Sequence, residues 1–305
     1  MSIVLRSLCI VACALAVCAN PQKNVNIQSR IAGPHTAATA GQFSYMASIR
    51  STSLTSLTRS HICGGSVIAA KWILTAAHCL CNEYINQILD LVASLLPPAL
   101  PVVKILNKMV CHAVDPRKLT VVTGSNYLNA GGTEISVQSV AQHPDYDSQL
   151  IINDIAVIEL KSETTATRIL LSGVVPINTI FLLSGWGLES GTATILPNEL
   201  QTAELDQMDT LICEAVITAA VPSAVVNDNN LCSYDESSPC PGDSGSPLTA
   251  VLSLSAGAAR VQVGIVSYGI STETSVCDND YPSIYTNVPR FCSFVYNATG
   301  VNCVV

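Results

Sequence analysis

Ser244 lies in the segment Cys240-Pro241-Gly242-Asp243-Ser244-Gly245-Ser246-Pro247-Leu248, between glycines, with an acid before it and a cysteine upstream. Glycine lets the backbone turn sharply, so that N–H groups can converge on an oxyanion forming beside the serine hydroxyl. That hydroxyl holds its proton tightly and becomes a nucleophile only with a base against it and a third group orienting the base. Two upstream segments offer such groups. Lys71-Trp72-Ile73-Leu74-Thr75-Ala76-Ala77-His78-Cys79 sets a histidine at the end of an apolar run, and Asn153-Asp154-Ile155-Ala156-Val157-Ile158-Glu159-Leu160 opens another run with an aspartate. Acting together, these residues can perform acyl transfer: Ser244 attacks, His78 moves the proton, and Asp154 fixes the imidazole tautomer. His35, His61, His112 and His143 lack this context and suit surface or structural roles.

The elements that must position them read as strands. From Gln42 onward, short β-branched segments alternate with Gly, Pro, Asn and Ser, which predicts an all-β fold. Examples are residues 66–69, 119–123, 135–140, 155–160 and 261–266. Residues 288–296 are expected to form a closing helix. Between Cys81 and Cys111, Ile85, Ile88, Leu89, Val92, Leu95 and Leu96 fall at helical spacing. A chain of 305 residues can be one large all-β domain or two packed halves.

Met1–Ala19 reads as a secretory signal: Arg6 supplies the positive charge and Leu8–Val17 the apolar core, and small residues precede a cut after Ala19. Asn20–Arg30 is polar and lacks periodicity, as a short propeptide would. The leader removes Cys9, Cys13 and Cys18, leaving ten cysteines of thirteen, an even number suited to disulfides in a secreted chain. The most apolar later stretch, residues 88–106, contains Asp90, Lys104 and three prolines, which argue against a membrane span. Residues 1–30 hold Arg6, Lys23 and Arg30 but no acid, so residues 31–305 carry 11 basic and 22 acidic side chains. That balance argues against nucleic acid or an anionic membrane surface as partner. No phosphate-binding glycine loop is present.

The three segments resemble the chymotrypsin/trypsin family of serine endopeptidases, and the order His78, Asp154, Ser244 is that family's order. The resemblance spans roughly residues 31–300 apart from the Cys81–Cys111 insertion. It implies two six-stranded antiparallel β-barrels with the active site in the cleft between them, formed by residues 31–305. It implies disulfides Cys63–Cys79, Cys213–Cys232 and Cys240–Cys277; the remaining cysteines pair most simply as Cys81–Cys111 and Cys292–Cys303. With the cysteines so assigned, no metal-ligand cluster remains, and neither metal nor cofactor is expected. Ile31-Ala32-Gly33-Pro34 is similar to the family's mature N-terminus, so cleavage after Arg30 would free an Ile31 amine to pair with Asp243. The oxyanion donors would be the N–H groups of Gly242 and Ser244.

By the same resemblance, Ser238 stands at the base of the substrate pocket, with Ser267, Tyr268, Gly269 and Ser283 as its walls. A neutral Ser238 offers no counter-charge, which points to large apolar side chains; an elastase-like preference for smaller ones is the alternative. Asp235 and Glu236 lie several positions too early. Departures from the family pattern are Pro34, Ser246 and Ser283 in place of glycine, the insertion, and a short connection between Leu160 and Gly185. The expectation is a secreted, monomeric zymogen acting on proteins or peptides, activated in trans by a trypsin-like protease and open to protein inhibitors. Two other readings remain: a regulatory protease with one protein target, and an inactive binding protein.

Overall fold

A computed structural model describes residues 31–52, 58–81, 111, 113–177, 179–255 and 257–305. The leader, the propeptide, His112 and the helix expected at Ile85–Leu96 lie outside the described residues.

After a two-residue strand β1 (Thr36–Ala37), the chain builds a first barrel from β2 (Met46–Thr52), β3 (Arg59–Ala69), β4 (Trp72–Thr75), β5 (Leu119–Thr123), β6 (Thr133–Gln142) and β7 (Ala156–Leu160). These close in the order β2-β3-β4-β7-β6-β5, and every pairing is antiparallel. Period-two burial sets the register of β6: Ile135 and Val137 point inward, while Glu134, Ser136 and Gln138 face solvent.

The connection to the second half is short, yet it is built into both halves. Thr164 N–H donates to Ala70 O (2.8 Å) and Ile169 N–H to Val67 O (2.9 Å). A short strand β8 (Leu170–Ser172) then runs parallel to a strand of the second barrel. The shortening therefore leaves packing between the halves intact.

The second barrel comprises β9 (Ile180–Gly185), β10 (Gln201–Met208), β11 (Asn230–Ser233), β12 (Pro247–Leu254), β13 (Gly257–Tyr268) and β14 (Ser283–Asn287). Their order is β9-β10-β11-β14-β13-β12, closed by pairing of β12 with β9. β8 and a terminal strand β15 (Cys303–Val304) extend the sheet beside β13, and β1 pairs with β10.

Two α-helices are described. Helix α1 (Thr210–Ala220) is capped by Asp209, whose carboxylate accepts from the N–H groups of Leu211 and Ile212. The Cys213–Cys232 disulfide pins it to β11. Sequence reading missed this helix because its β-branched run resembles a strand. Helix α2 (Cys292–Thr299) follows a 3-10 turn over Val288–Phe291 and ends at Gly300, whose φ of 74° is the left-handed conformation that glycine adopts without strain. Val288, Phe291 and Val295 join the first barrel's core although the helix follows the second barrel. Five disulfides close among the described residues: Cys63–Cys79, Cys81–Cys111, Cys213–Cys232, Cys240–Cys277 and Cys292–Cys303. Each can contribute about 2–4 kcal/mol by restricting the unfolded chain. No helix among the described residues is long and apolar enough to cross a membrane.

Candidate active site

Strand β4 buries Ile73, Leu74 and Thr75, continues through fully buried Ala76 and Ala77, and turns at His78 into a 3-10 helix. The Cys63–Cys79 disulfide ties that turn back to β3. Asp154 approaches from the start of β7. One carboxylate oxygen accepts from His78 N–H (2.9 Å); the other lies 2.7 Å from His78 Nδ1 and accepts from the Ser267 hydroxyl (2.6 Å). Thr286 Oγ1 anchors the Asp154 carbonyl at 2.6 Å. Asp154 is 1% exposed, and burial alone would raise its pKa. Attraction to His78 and the hydrogen bonds from His78 and Ser267 outweigh burial and hold the carboxyl below its usual value. The turn before it is strained: Ile151 and Asn153 have φ of 51° and 55°, a region open to asparagine but costly for a β-branched residue.

The Ser244 loop belongs to the second barrel but is seated on the first. Gly64 N–H donates to Ser244 O (2.8 Å), and Gly245 N–H to Val266 O (2.9 Å). Gly245, at φ 78°, has no room for a side chain, since a Cβ there would lie 2.2 Å from Thr75 Oγ1 and 2.6 Å from Gly64 O. Asp243 is fully buried, accepting from Gly187 N–H (2.7 Å) and Cys240 N–H (3.0 Å). Burial pushes its pKa up to about 6 against the pull of those two donors. No ion pair reaches it among the described residues. Ile31 is fully buried, and Ser238 N–H donates to the carbonyl of the following Ala32 (2.8 Å).

His61 is the residue whose position the sequence least disclosed. It is half-buried, with Nε2 2.9 Å from Gly242 O and Nδ1 2.9 Å from Ser48 Oγ, its ring edge-on to Trp186. A carbonyl only accepts, so Nε2 carries the proton and Nδ1 takes the Ser48 hydroxyl. Burial pushes its pKa down to about 4, opposed by the Gly242 bond and aided by Arg50. Its signal was its place two residues before Cys63 on the strand that cradles Ser244. His143 instead packs against Phe291 and Phe294.

Ser238, Ser267, Tyr268, Gly269 and Ser283 line one cavity of about 220 Å³, with Ser244 also on its lining. Asp235 and Glu236 are not on it. A larger open depression of about 360 Å³, between Arg50 and Glu134 on the first barrel, includes none of these groups. The ligand atoms of Cys63, His78 and Cys79 lie within 4.8 Å of one another, but both sulfurs are committed to a disulfide.

Paired barrels meeting at a histidine–aspartate pair and a glycine-flanked serine define the chymotrypsin-like class of serine hydrolases. Comparison with known proteins agrees. The family model Trypsin matches residues 33–94 and 107–295, and the chain belongs to that family. Trypsin beta of Drosophila erecta is 29% identical over 292 residues, covering 94% of this chain and 95% of the relative. Trypsin delta of the same fly is 30% identical over 291 residues (93% and 94%), and Brachyurin of Leptuca pugilator 27% over 250 (79% and 89%). The protein is a serine endopeptidase, a hydrolase acting on protein substrates.

Proposed function

We propose that this endopeptidase is made as a secreted zymogen and works through His78, Asp154 and Ser244, with the cavity at Ser238 taking the side chain before the scissile bond. Residues 1–19 are the signal peptide, residues 20–30 the propeptide and residues 31–305 the protease domain. The observation that carries the chemistry is the fully engaged Asp154 at 2.7 Å from His78 Nδ1, beside a Ser244 loop hydrogen-bonded to the histidine's own barrel through Gly64.

The Ser244 hydroxyl passes its proton to His78 Nε2 as its oxygen bonds to the substrate carbonyl carbon. The resulting oxyanion is held by the N–H groups of Gly242 and Ser244. His78 returns the proton to the leaving amine, whose C–N bond breaks to give the acyl-enzyme. Water, deprotonated by His78, then attacks the ester; the acid is released and Ser244 regains its proton. Asp154 keeps the Nδ1 proton in place and stabilises the imidazolium throughout.

The fully buried Asp243, whose donors among the described residues are both backbone N–H groups, supports an activation step that brings it a cation. Cleavage after Arg30 by a protease that accepts arginine frees the Ile31 amine for that role. A neutral Ser238 at the base and Val266, Ile270 and Val276 on the lining support a preference for large apolar side chains. The test uses zymogen cut by immobilised trypsin and freed of it, assayed on peptides ending in Phe, Leu or Ala. Cleavage after Phe or Leu that vanishes in Ser244→Ala is expected. Activity that survives Ser244→Ala would overturn the mechanism, and a preference for Ala would favour the small-residue pocket.

A further inference from the structure

Asn297-Ala298-Thr299 is the one Asn-x-Ser/Thr triplet in the sequence whose middle residue is not proline. In a chain that passes through a secretory compartment, such a triplet accepts an N-linked glycan where its asparagine lies at the surface. Helix α2 presents it there. Phe291 and Val295 are buried in the first barrel's core, and Phe294 and Ala298 pack against it. With that face turned inward, Ser293, Tyr296 and Asn297 fall on the exposed one. Tyr296, beside Asn297, is 52% exposed. No residue of α2 is on the lining of the cavity beside Ser244, so a bulky group on Asn297 is attached outside that cavity.

The folded protein nevertheless withholds half of the motif. Thr299 Oγ1 donates to Val295 O (2.7 Å) and accepts from Val301 N–H (3.1 Å). Both bonds belong to the end of the helix, where Gly300 turns the chain and the Cys292–Cys303 disulfide ties the two flanks together. A transferase has to engage the asparagine amide and the hydroxyl two residues on at once, which requires chain in which those bonds are open. Opening them after folding would draw on the helix that holds Val295, fully buried, in the core.

We propose that Asn297 carries an N-linked glycan, attached before helix α2 and the Cys292–Cys303 disulfide close. The inference rests on residues 1–19 delivering the chain to the secretory compartment. In the transfer, Asn297 Nδ2 bonds to C1 of the first sugar of a lipid-pyrophosphate-linked oligosaccharide. The bond from C1 to the pyrophosphate oxygen breaks, the lipid pyrophosphate leaves with its electron pair, and the amide proton passes to a base of the transferase. Once α2 has formed, the sugar stands on its solvent face beside Tyr296 and adds polar surface there.

The test expresses the full chain with its own leader in insect cells and treats the protein from the medium with peptide N-glycosidase. A loss of mass is expected, with aspartate left at position 297 by peptide mass spectrometry. Asn297→Gln and Thr299→Ala should abolish that loss, and Thr299→Ser, which keeps the hydroxyl, should retain it. The order of events is read on protein made with glycan synthesis blocked, then offered to solubilised oligosaccharyl transferase and its lipid-linked donor. Reduced and alkylated chain should accept the sugar and folded chain should not. Secreted protein without a glycan at Asn297 would overturn the proposal while leaving the secretory reading intact. Equal acceptance by folded and reduced chain would overturn the order. Protein retained in the cytosol would fail the secretory reading, and the proposal with it.

Discussion

Two buried aspartates, one at the edge of each barrel, are treated in opposite ways. Asp154 faces a histidine, a serine hydroxyl and a backbone N–H, and its carboxyl is held below its usual value. Among the described residues Asp243 meets two backbone N–H groups, and burial raises it to about 6. Desolvation acts on both; the difference is a nearby charge partner. The first barrel thus delivers its carboxylate finished by folding. The second keeps one at a cost that a cation would remove, which is the physical case for activation through the Ile31 amine.

The sharpest way to break this comparison is at Asp154. In Asp154→Asn, the amide can donate to His78 Nδ1, which moves the ring proton to Nε2 and leaves no acceptor for the serine proton. Turnover should fall by about 10⁴, read as kcat on a Leu or Phe peptide. A loss under tenfold would mean Asp154 does not set the tautomer. The counterpart is Asp243→Asn. In the cut enzyme it should lower kcat/KM by about 10²–10³ by releasing the loop that aims the oxyanion N–H groups, while uncut protein shows no further loss. Equal effects on cut and uncut forms would remove the activation argument.

Stability against pH separates the buried groups. Asp243 has a raised folded pKa, so the folded state favours its protonated form. In uncut protein its penalty is absent below the unfolded value near 4, grows as pH rises, and is complete above about 6. A shift of that size is worth roughly 3 kcal/mol. His61 runs the other way in an overlapping window: its folded pKa is lowered to about 4, so its neutral form is favoured above about 6.5 and that stability is lost as pH falls towards 4. Asp154, with a lowered folded pKa, contributes stability that is lost only on further acidification. The two opposed slopes largely cancel, so variants must expose them. Uncut Asp243→Asn should gain up to about 3 kcal/mol over the parent at pH 7 and almost nothing at pH 4, by urea unfolding. Uncut His61→Leu should instead gain up to about 3 kcal/mol as pH falls from 6.5 to 4, because only the Asp243 slope remains, while costing about 1–3 kcal/mol at pH 7 by orphaning Gly242 O.

The sequence disclosed the residues whose chemistry and local context coincide. Ser244 between glycines, His78 after an apolar run and Asp154 opening another could be read because each sits at a strand end, where period-two burial changes to a turn. The barrels were legible as short β-branched segments, though not their closure, which depends on pairings such as Leu248 with Leu183 far apart in the chain. What stayed hidden depends on a partner from elsewhere. His61 matters through a carbonyl 181 residues away. Ser267 reads as a pocket wall until its hydroxyl is found on Asp154, 113 residues away.

The smallest predicted effect tests the contrast at the scale of a single hydroxyl. Two buried hydroxyls flank Gly64, one from each barrel. Thr75 Oγ1 donates to Gly64 O at 2.9 Å, and a Cβ built on Gly64 would lie 2.0 Å from Ser246 Oγ, which has no partner among the described residues. The Ser246 backbone is already committed, its N–H to Asp243 O and its carbonyl to Val266 N–H, both at 2.9 Å. Its hydroxyl therefore pays desolvation without forming a bond, whereas that of Thr75 forms one. Ser246→Ala should stabilise the protein by about 1 kcal/mol and Thr75→Val should destabilise it by a similar amount. Thermal unfolding of the Ser244→Ala background, which cannot digest itself, would show the two shifts in Tm with opposite signs, each about 2–4 °C. A fall in Tm for both would mean that Ser246 Oγ is bonded through water, and that the second barrel's Ser244 loop is as fully satisfied as the first barrel's strand.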